Sequence, residues 1–180
     1  MPGRTNGFTT EQSEALAALG ATLLLVQSAE HMIKFCMQLV LQRDGEGLTY
    51  EILKDQERAE AKKTLGYFLV QLRQRVELAP EFDEQLREFL ELRNTLAHNL
   101  ADVPGVGFSK PHELPAAKAW CLRLAGLANH VLNVFAGLAR AWQRQVGLPD
   151  LMGDHEVFQK IDAEFSPLVD QMFTAKDPAG

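Results

Sequence analysis

Apolar residues recur in this chain at three- and four-residue spacing through four long runs. No stretch alternates convincingly with a period of two between hairpin turns. A chain with only the helical period must bury one stripe of each helix against the others, so an all-α fold is predicted. The breaks then set the helix lengths. Thr9 and Gln12 have capping-box spacing and start a first helix near Thr10; Asp44-Gly45-Glu46-Gly47 ends it after about residue 42. A second helix is predicted over residues 55–78, with Leu65, Phe68, Leu69, Leu72 and Val76 as its core face and Ala79-Pro80 closing it. A third covers residues 81–101. Residues 102–115, rich in Pro and Gly, form the one substantial loop and a rim for any site on the preceding helix. A fourth helix, residues 116–146, keeps Trp120, Leu124, Leu127, Val131, Phe135, Leu138 and Trp142 near one face before Gly147 and Pro149 stop it. A weaker pattern follows over residues 154–173, with Val157, Phe158, Ile161, Phe165, Val169 and Met172 available for docking and a kink at Ser166-Pro167. The expected architecture is an up-and-down bundle of four long helices over about residues 10–146. A short C-terminal helical appendage, about 150–174, completes a single domain spanning 1–180.

At 180 residues and 46% hydrophobic, the chain can bury one real core. Its formal net charge of -6 argues against a broadly basic surface that coats nucleic acid, so any contact with RNA has to be local. Cys36 and Cys121 sit in apolar helical patterns with no Cys-x-x-Cys spacing and read as buried free thiols in a reducing compartment. His31, His112, His130 and His155 lack metal-ligand spacing, and Gly105-Val106-Gly107 follows no strand, so neither a metal nor a cofactor is expected. The most apolar window, residues 15–26, is too short to span a bilayer and runs into Gln27, Ser28, Glu30 and His31. Residues 1–7 carry none of the parts of a signal peptide. A soluble protein in the cytoplasm, with no membrane partner, is therefore expected. Lys62, Lys63, Arg73 and Arg75 read as a solvated helical face, and Trp120 and Trp142 as core or interface aromatics.

Two charged residues interrupt the apolar faces. At about 100° per residue, Leu86, Phe89, Leu90, Leu96 and Leu100 form one stripe of the third helix, and Arg93 falls near its middle. Glu91, Asn94 and His98 cluster on the flank of the same wheel. In the first helix Leu16, Leu19, Leu23, Val26, Met37 and Leu41 lie broadly on one face, and Glu30 shares it. Burying a guanidinium without a partner costs several kcal/mol, so Glu30 and Arg93 are expected to pair across the bundle. Two readings stay open: an ion pair that specifies register, or a carboxylate that aims the guanidinium into a cleft.

The stretch Phe89-Leu90-Glu91-Leu92-Arg93-Asn94-Thr95-Leu96-Ala97-His98 resembles the R-x(4-6)-H motif of HEPN domains, helical domains of prokaryotic toxins and RNA-processing enzymes. The arginine followed directly by asparagine is typical of that motif. In architecture the resemblance covers about residues 10–146; in sequence it is specific only over the motif. It implies a metal-independent endoribonuclease at a symmetric homodimer interface, with Arg93 and His98 catalytic and Asn94 the polar residue after the motif arginine. A toxin or antiviral defence effector restrained by an antitoxin or regulatory protein fits the same family. One subgroup carries a tyrosine two residues after the histidine, which its antitoxin modifies. Leu100 stands there, so that mode of regulation is not implied.

The residue types suit the chemistry by themselves. Cleavage of RNA by its own 2′-hydroxyl needs a base for that proton and a cation for the charge that develops on phosphorus. Histidine is the side chain whose charge changes near neutral pH, and the planar arginine fork matches phosphate oxygens. Asn94 could orient the phosphate or the imidazole, Glu30 and Glu91 are supporting carboxylates, and Lys110 with His112 could add a small positive pocket for substrate. Arg93 and His98 stand about 140° apart on one helix, which favours two copies sharing a composite site. The alternative is a helical interaction or regulatory module of the same fold whose polar cluster cleaves nothing.

Overall fold

The computed structural model describes residues 8–41, 63–107, 110–149 and 155–175. The expected break at Asp44-Gly45-Glu46-Gly47 and the first part of the expected second helix, residues 55–62, lie outside the described residues. The structure is mostly helical. Helix α1, Thr10–Phe35, continues into a wider π-helical turn, Cys36–Val40; α2 is Leu65–Arg75, α3 Pro80–His98 and α4 Leu114–Gln145. Then come α5, Glu156–Glu164, a 3₁₀ turn at Ser166–Leu168, and the single turn α6, Val169–Met172. Strands β1, Val76–Leu78, and β2, Phe173–Ala175, form an antiparallel two-stranded ribbon.

Local chemistry accounts for the helix starts. The Thr9 hydroxyl accepts from the Gln12 amide (3.2 Å) while the Gln12 side chain accepts from the Thr9 amide (2.8 Å), the capping box its spacing predicts. Thr64 caps α2 by accepting from the Tyr67 amide, and Pro80 opens α3, where no amide donor is needed. At the far end of α1, Arg75 donates to the carbonyls of Met37 (2.8 Å) and Leu41 (3.0 Å) and so ties α2 to the last turn.

Small residues control how closely the long helices approach. Ala15 and Ala29 on α1 and Ala117 and Ala128 on α4 are buried. The two backbones come near enough that the Thr22 hydroxyl donates to the Cys121 carbonyl and the Cys36 thiol to the Phe135 carbonyl, each at 3.2 Å. These two contacts advance along both helices together, so α1 and α4 run parallel. Helix α3 runs against α4: Phe82 meets Phe135 and His130, and Glu88 pairs with Arg123. This corrects the simple up-and-down alternation, in which the first and last of four helices would be antiparallel. Ile33, Phe68, Leu69, Leu72, Leu86, Phe89, Leu124 and Val131 fill the core between them.

The expected second helix stops at Arg75 rather than Leu78. Val76–Leu78 extends and pairs with Phe173–Ala175, because Ala79 precedes a proline and a second strand is there to take the hydrogen bonds. The C-terminal segment is thereby tied to the bundle, and Ile161, Val169 and Phe173 are buried. Arg140, buried on α4, pairs with Asp162, which Arg144 also grips. Arg73 pairs with Asp83 at 2.7 Å, so neither it nor Arg75 belongs to a merely solvated face. By length and composition alone, Thr10–Val40 and Pro111–Gln145 could each cross a membrane, the window in the second being half buried. The apolar stretch of α1 is thus longer than residues 15–26.

Candidate functional site

Helices α1 and α3 each turn an i, i+3, i+4 set toward the other. Leu23, Val26, Gln27 and Glu30 come from α1 and Arg93, Leu96 and Ala97 from α3, and together they line an open groove of about 170 Å³. Val26 and Leu96 are buried at its floor, while Leu23 and Ala97 are exposed at its rim. Glu30 and Arg93 bridge the two walls.

The bridge is a bidentate ion pair. Glu30 Oε1 accepts from Arg93 Nε, and Glu30 Oε2 accepts from Nη2 at 3.2 Å. The two side chains retain only 14% and 19% of their exposure, so water screens the pair weakly. It is the pairing that the helical wheel implied. Arg93 Nη1 then donates to Asn94 Oδ1 at 3.1 Å and lies 3.5 Å from His98 Nε2, at the outer limit of a hydrogen bond. Glu30, Arg93, Asn94 and His98 therefore form one connected chain running from the half-buried groove to the exposed end of α3.

Arg93 and His98, expected to stand about 140° apart on the wheel, thus approach each other within one protomer. A wheel compares Cα–Cβ directions and leaves out side-chain reach along the axis, which here brings Arg93 Nη1 to 3.5 Å from His98 Nε2. Other expected members are placed elsewhere. Glu91 is exposed, acts on Arg87 one turn away, and its carbonyl accepts from Thr95 Oγ1 at 3.1 Å. Lys110 and His112 are exposed and both converge on Glu113, at 2.9 and 3.8 Å. Leu100, expected on the apolar stripe, is 46% exposed beyond the end of α3.

Gly105 shapes the loop after α3, none of whose described residues lines the groove. Its φ of 69° is left-handed, and a Cβ there would lie 2.3 Å from the Glu113 carbonyl oxygen, so the loop folds back on itself only with glycine. The groove residues Gln27 and Ala97 were not singled out from sequence. The signal available was their i+4 relation to Leu23 and Arg93.

Both thiols are buried, and burial pushes Cys36 well above the ordinary thiol range, which makes it inert at neutral pH. Among the described residues no group of three or more His, Cys, Asp or Glu is arranged to hold a metal ion. No protein-family model matches the chain, and no curated protein or solved structure matches it.

Proposed function

We propose that this protein is a metal-independent endoribonuclease of the HEPN type, a cytoplasmic toxin or defence effector, with Arg93 and His98 catalytic and Asn94 supporting. One observation carries the reading: Glu30 and Arg93, which both line an open groove, are paired so that the Nη1 side of the guanidinium meets Asn94 and the exposed His98. With Nε and one Nη2 hydrogen engaged by Glu30 and one Nη1 hydrogen by Asn94, one hydrogen on each Nη is left for a phosphate oxygen.

In this reading His98 takes the proton of the substrate's 2′-hydroxyl. The 2′-oxygen attacks phosphorus, Arg93 stabilises the charge on the equatorial oxygens, and the bond to the 5′-oxygen breaks. The products are a 2′,3′-cyclic phosphate and a free 5′-hydroxyl. A base at the attacking oxygen and an acid at the leaving oxygen are needed on opposite sides of phosphorus, and each chain offers one histidine here. A homodimer that brings two motifs together supplies both.

The second reading, a non-catalytic interaction module, draws on the same ion pair. Glu30 neutralises Arg93, and such a network can specify register without binding anything. The experiment is cleavage of a mixed RNA pool in excess EDTA by wild type and His98→Ala, with product termini mapped. EDTA-resistant cleavage that leaves cyclic phosphates and is lost in the variant supports the ribonuclease; no cleavage by folded wild-type protein favours the module.

A further inference from the structure

The groove between α1 and α3 is more than the mouth of the Arg93 constellation, because its size and lining select what can enter. At about 170 Å³ it is well below the roughly 300–1,000 Å³ of a site that encloses a whole small-molecule ligand. It admits a single ring system, and it is too small for a partner's helix. Its floor and rim are aliphatic: Val26 and Leu96 below, Leu23 and Ala97 at the sides. Its polar lining residues are Gln27 and the Glu30–Arg93 pair.

Gln27, one residue beyond buried Val26 and three before Glu30, is exposed and has no hydrogen-bond partner among the described residues, so its amide can turn to an entering ligand. A carboxamide presents one donor face and one acceptor face side by side. Glu30, already holding Arg93, keeps lone pairs free for one more donor. The lining is thus two aliphatic walls for a flat ring, a donor–acceptor pair for its edge, and an arginine for an anion attached beside it.

We propose that this groove is a nucleobase subsite of the endoribonuclease proposed above, that it takes the base attached to the phosphate held by Arg93, and that Gln27 is its specificity-determining residue. Unstacked bases of single-stranded RNA are read by apolar contact with their faces and hydrogen bonds to their edges. A glutamine carboxamide matches the N6 amino group and N7 of adenine, and a carboxylate acceptor nearby favours an amino-bearing base over uracil. The subsite therefore prefers adenine, and it would make the enzyme cut at one position relative to that base.

The inference rests on the ribonuclease reading, so its test has a binding arm and a cleavage arm. In the binding arm, methyl resonances of Leu23, Val26, Leu96 and Ala97 are followed while adenosine 3′-monophosphate, uridine 3′-monophosphate or inorganic phosphate is added. The adenosine nucleotide should shift these methyls and bind about fivefold or more tightly than the uridine nucleotide, the low end of one bidentate base contact. Inorganic phosphate should leave the Leu23 and Val26 methyls in place. Ala97→Leu, which fills the rim, should weaken the nucleotide without changing the response to phosphate, and Gln27→Ala should level the two nucleotides. In the cleavage arm, the base preference in mapped products should fade in Gln27→Ala.

Methyl shifts without any cleavage would uphold the subsite and sink the ribonuclease. Cleavage with motionless methyls, or with an unchanged base preference in Gln27→Ala, would overturn the subsite alone. Methyls that respond to protein concentration and not to nucleotide would assign the groove to a second copy of the chain and overturn it too.

Discussion

Glu30 holds Arg93 side-on, through Nε and Nη2, so that Nη1 faces Asn94 and His98. One carboxylate thereby joins two helices and also sets which edge of a guanidinium faces the groove. Removing it should affect both. Glu30→Gln is expected to lower the unfolding free energy by about 1–3 kcal/mol, less than a fully buried pair because both side chains keep some exposure. Urea denaturation checks this; an unchanged midpoint would show that the pair adds no stability.

His98 sits exposed at the last turn of α3, and no core contact depends on it. His98→Ala should therefore leave stability within about 0.5 kcal/mol of wild type while reducing cleavage by about a hundredfold or more. A variant that instead melts early would mark the histidine as a structural cap.

Subunit mixing tests whether the site is composite. If two protomers share it, inactive Arg93→Ala and His98→Ala proteins should regain partial cleavage after exchanging subunits. The 3.5 Å approach of the two residues within one chain gives the opposite outcome a concrete meaning. No recovery despite demonstrated exchange would place the whole site in one protomer, or leave no site.

Gly137 on α4 lies directly under the C-terminal segment. A Cβ there would come within 3.0 Å of the Phe165 carbonyl carbon and 3.1 Å of its oxygen, which are backbone atoms that cannot turn aside. Gly137→Ala should cost about 1–3 kcal/mol despite the higher helix propensity of alanine. Hydrogen exchange should quicken in Val76–Leu78 and Phe173–Ala175 before the rest of the bundle. Unchanged protection there would mean that the segment shifts without loosening.

Two groups make stability fall with pH. Arg140 beside Asp162 holds that carboxyl below the ordinary carboxylate range, with Arg144 adding to the effect. Its contribution is complete above the unfolded pKa of about 4 and is lost as pH falls through the lower folded value. His130 packs against Phe82 and Phe165 with a buried Nε2 that has no hydrogen-bond partner among the described residues, and burial lowers its pKa. Below the free imidazole pKa of about 6.5 the unfolded chain takes up a proton that the folded chain resists, so stability declines there as well. His130→Phe should remove the decline near pH 6 and Asp162→Asn the one at lower pH, each read from melting temperature against pH. Superimposable profiles would remove both assignments.

The sequence by itself determined the helices and one long-range pair. Helical period, the Thr9 capping box and the prolines bound α1, α3 and α4 closely, because these signals act within a few residues. The Glu30–Arg93 pairing was legible because a charge on an apolar face has to find a partner, and α1 and α3 offered one each. Tertiary structure decided what depends on neighbours distant in the chain. Three-residue strands are too short to show a period, so Val76–Leu78 became a strand only when Phe173–Ala175 arrived beside it. The parallel course of α1 and α4, and the close approach that their buried alanines allow, depend on both helices at once, which no single helical pattern encodes. The meeting of Arg93 with His98, and the groove beside them, came from side-chain reach and the spacing between two helices. A wheel of Cβ directions contains neither quantity.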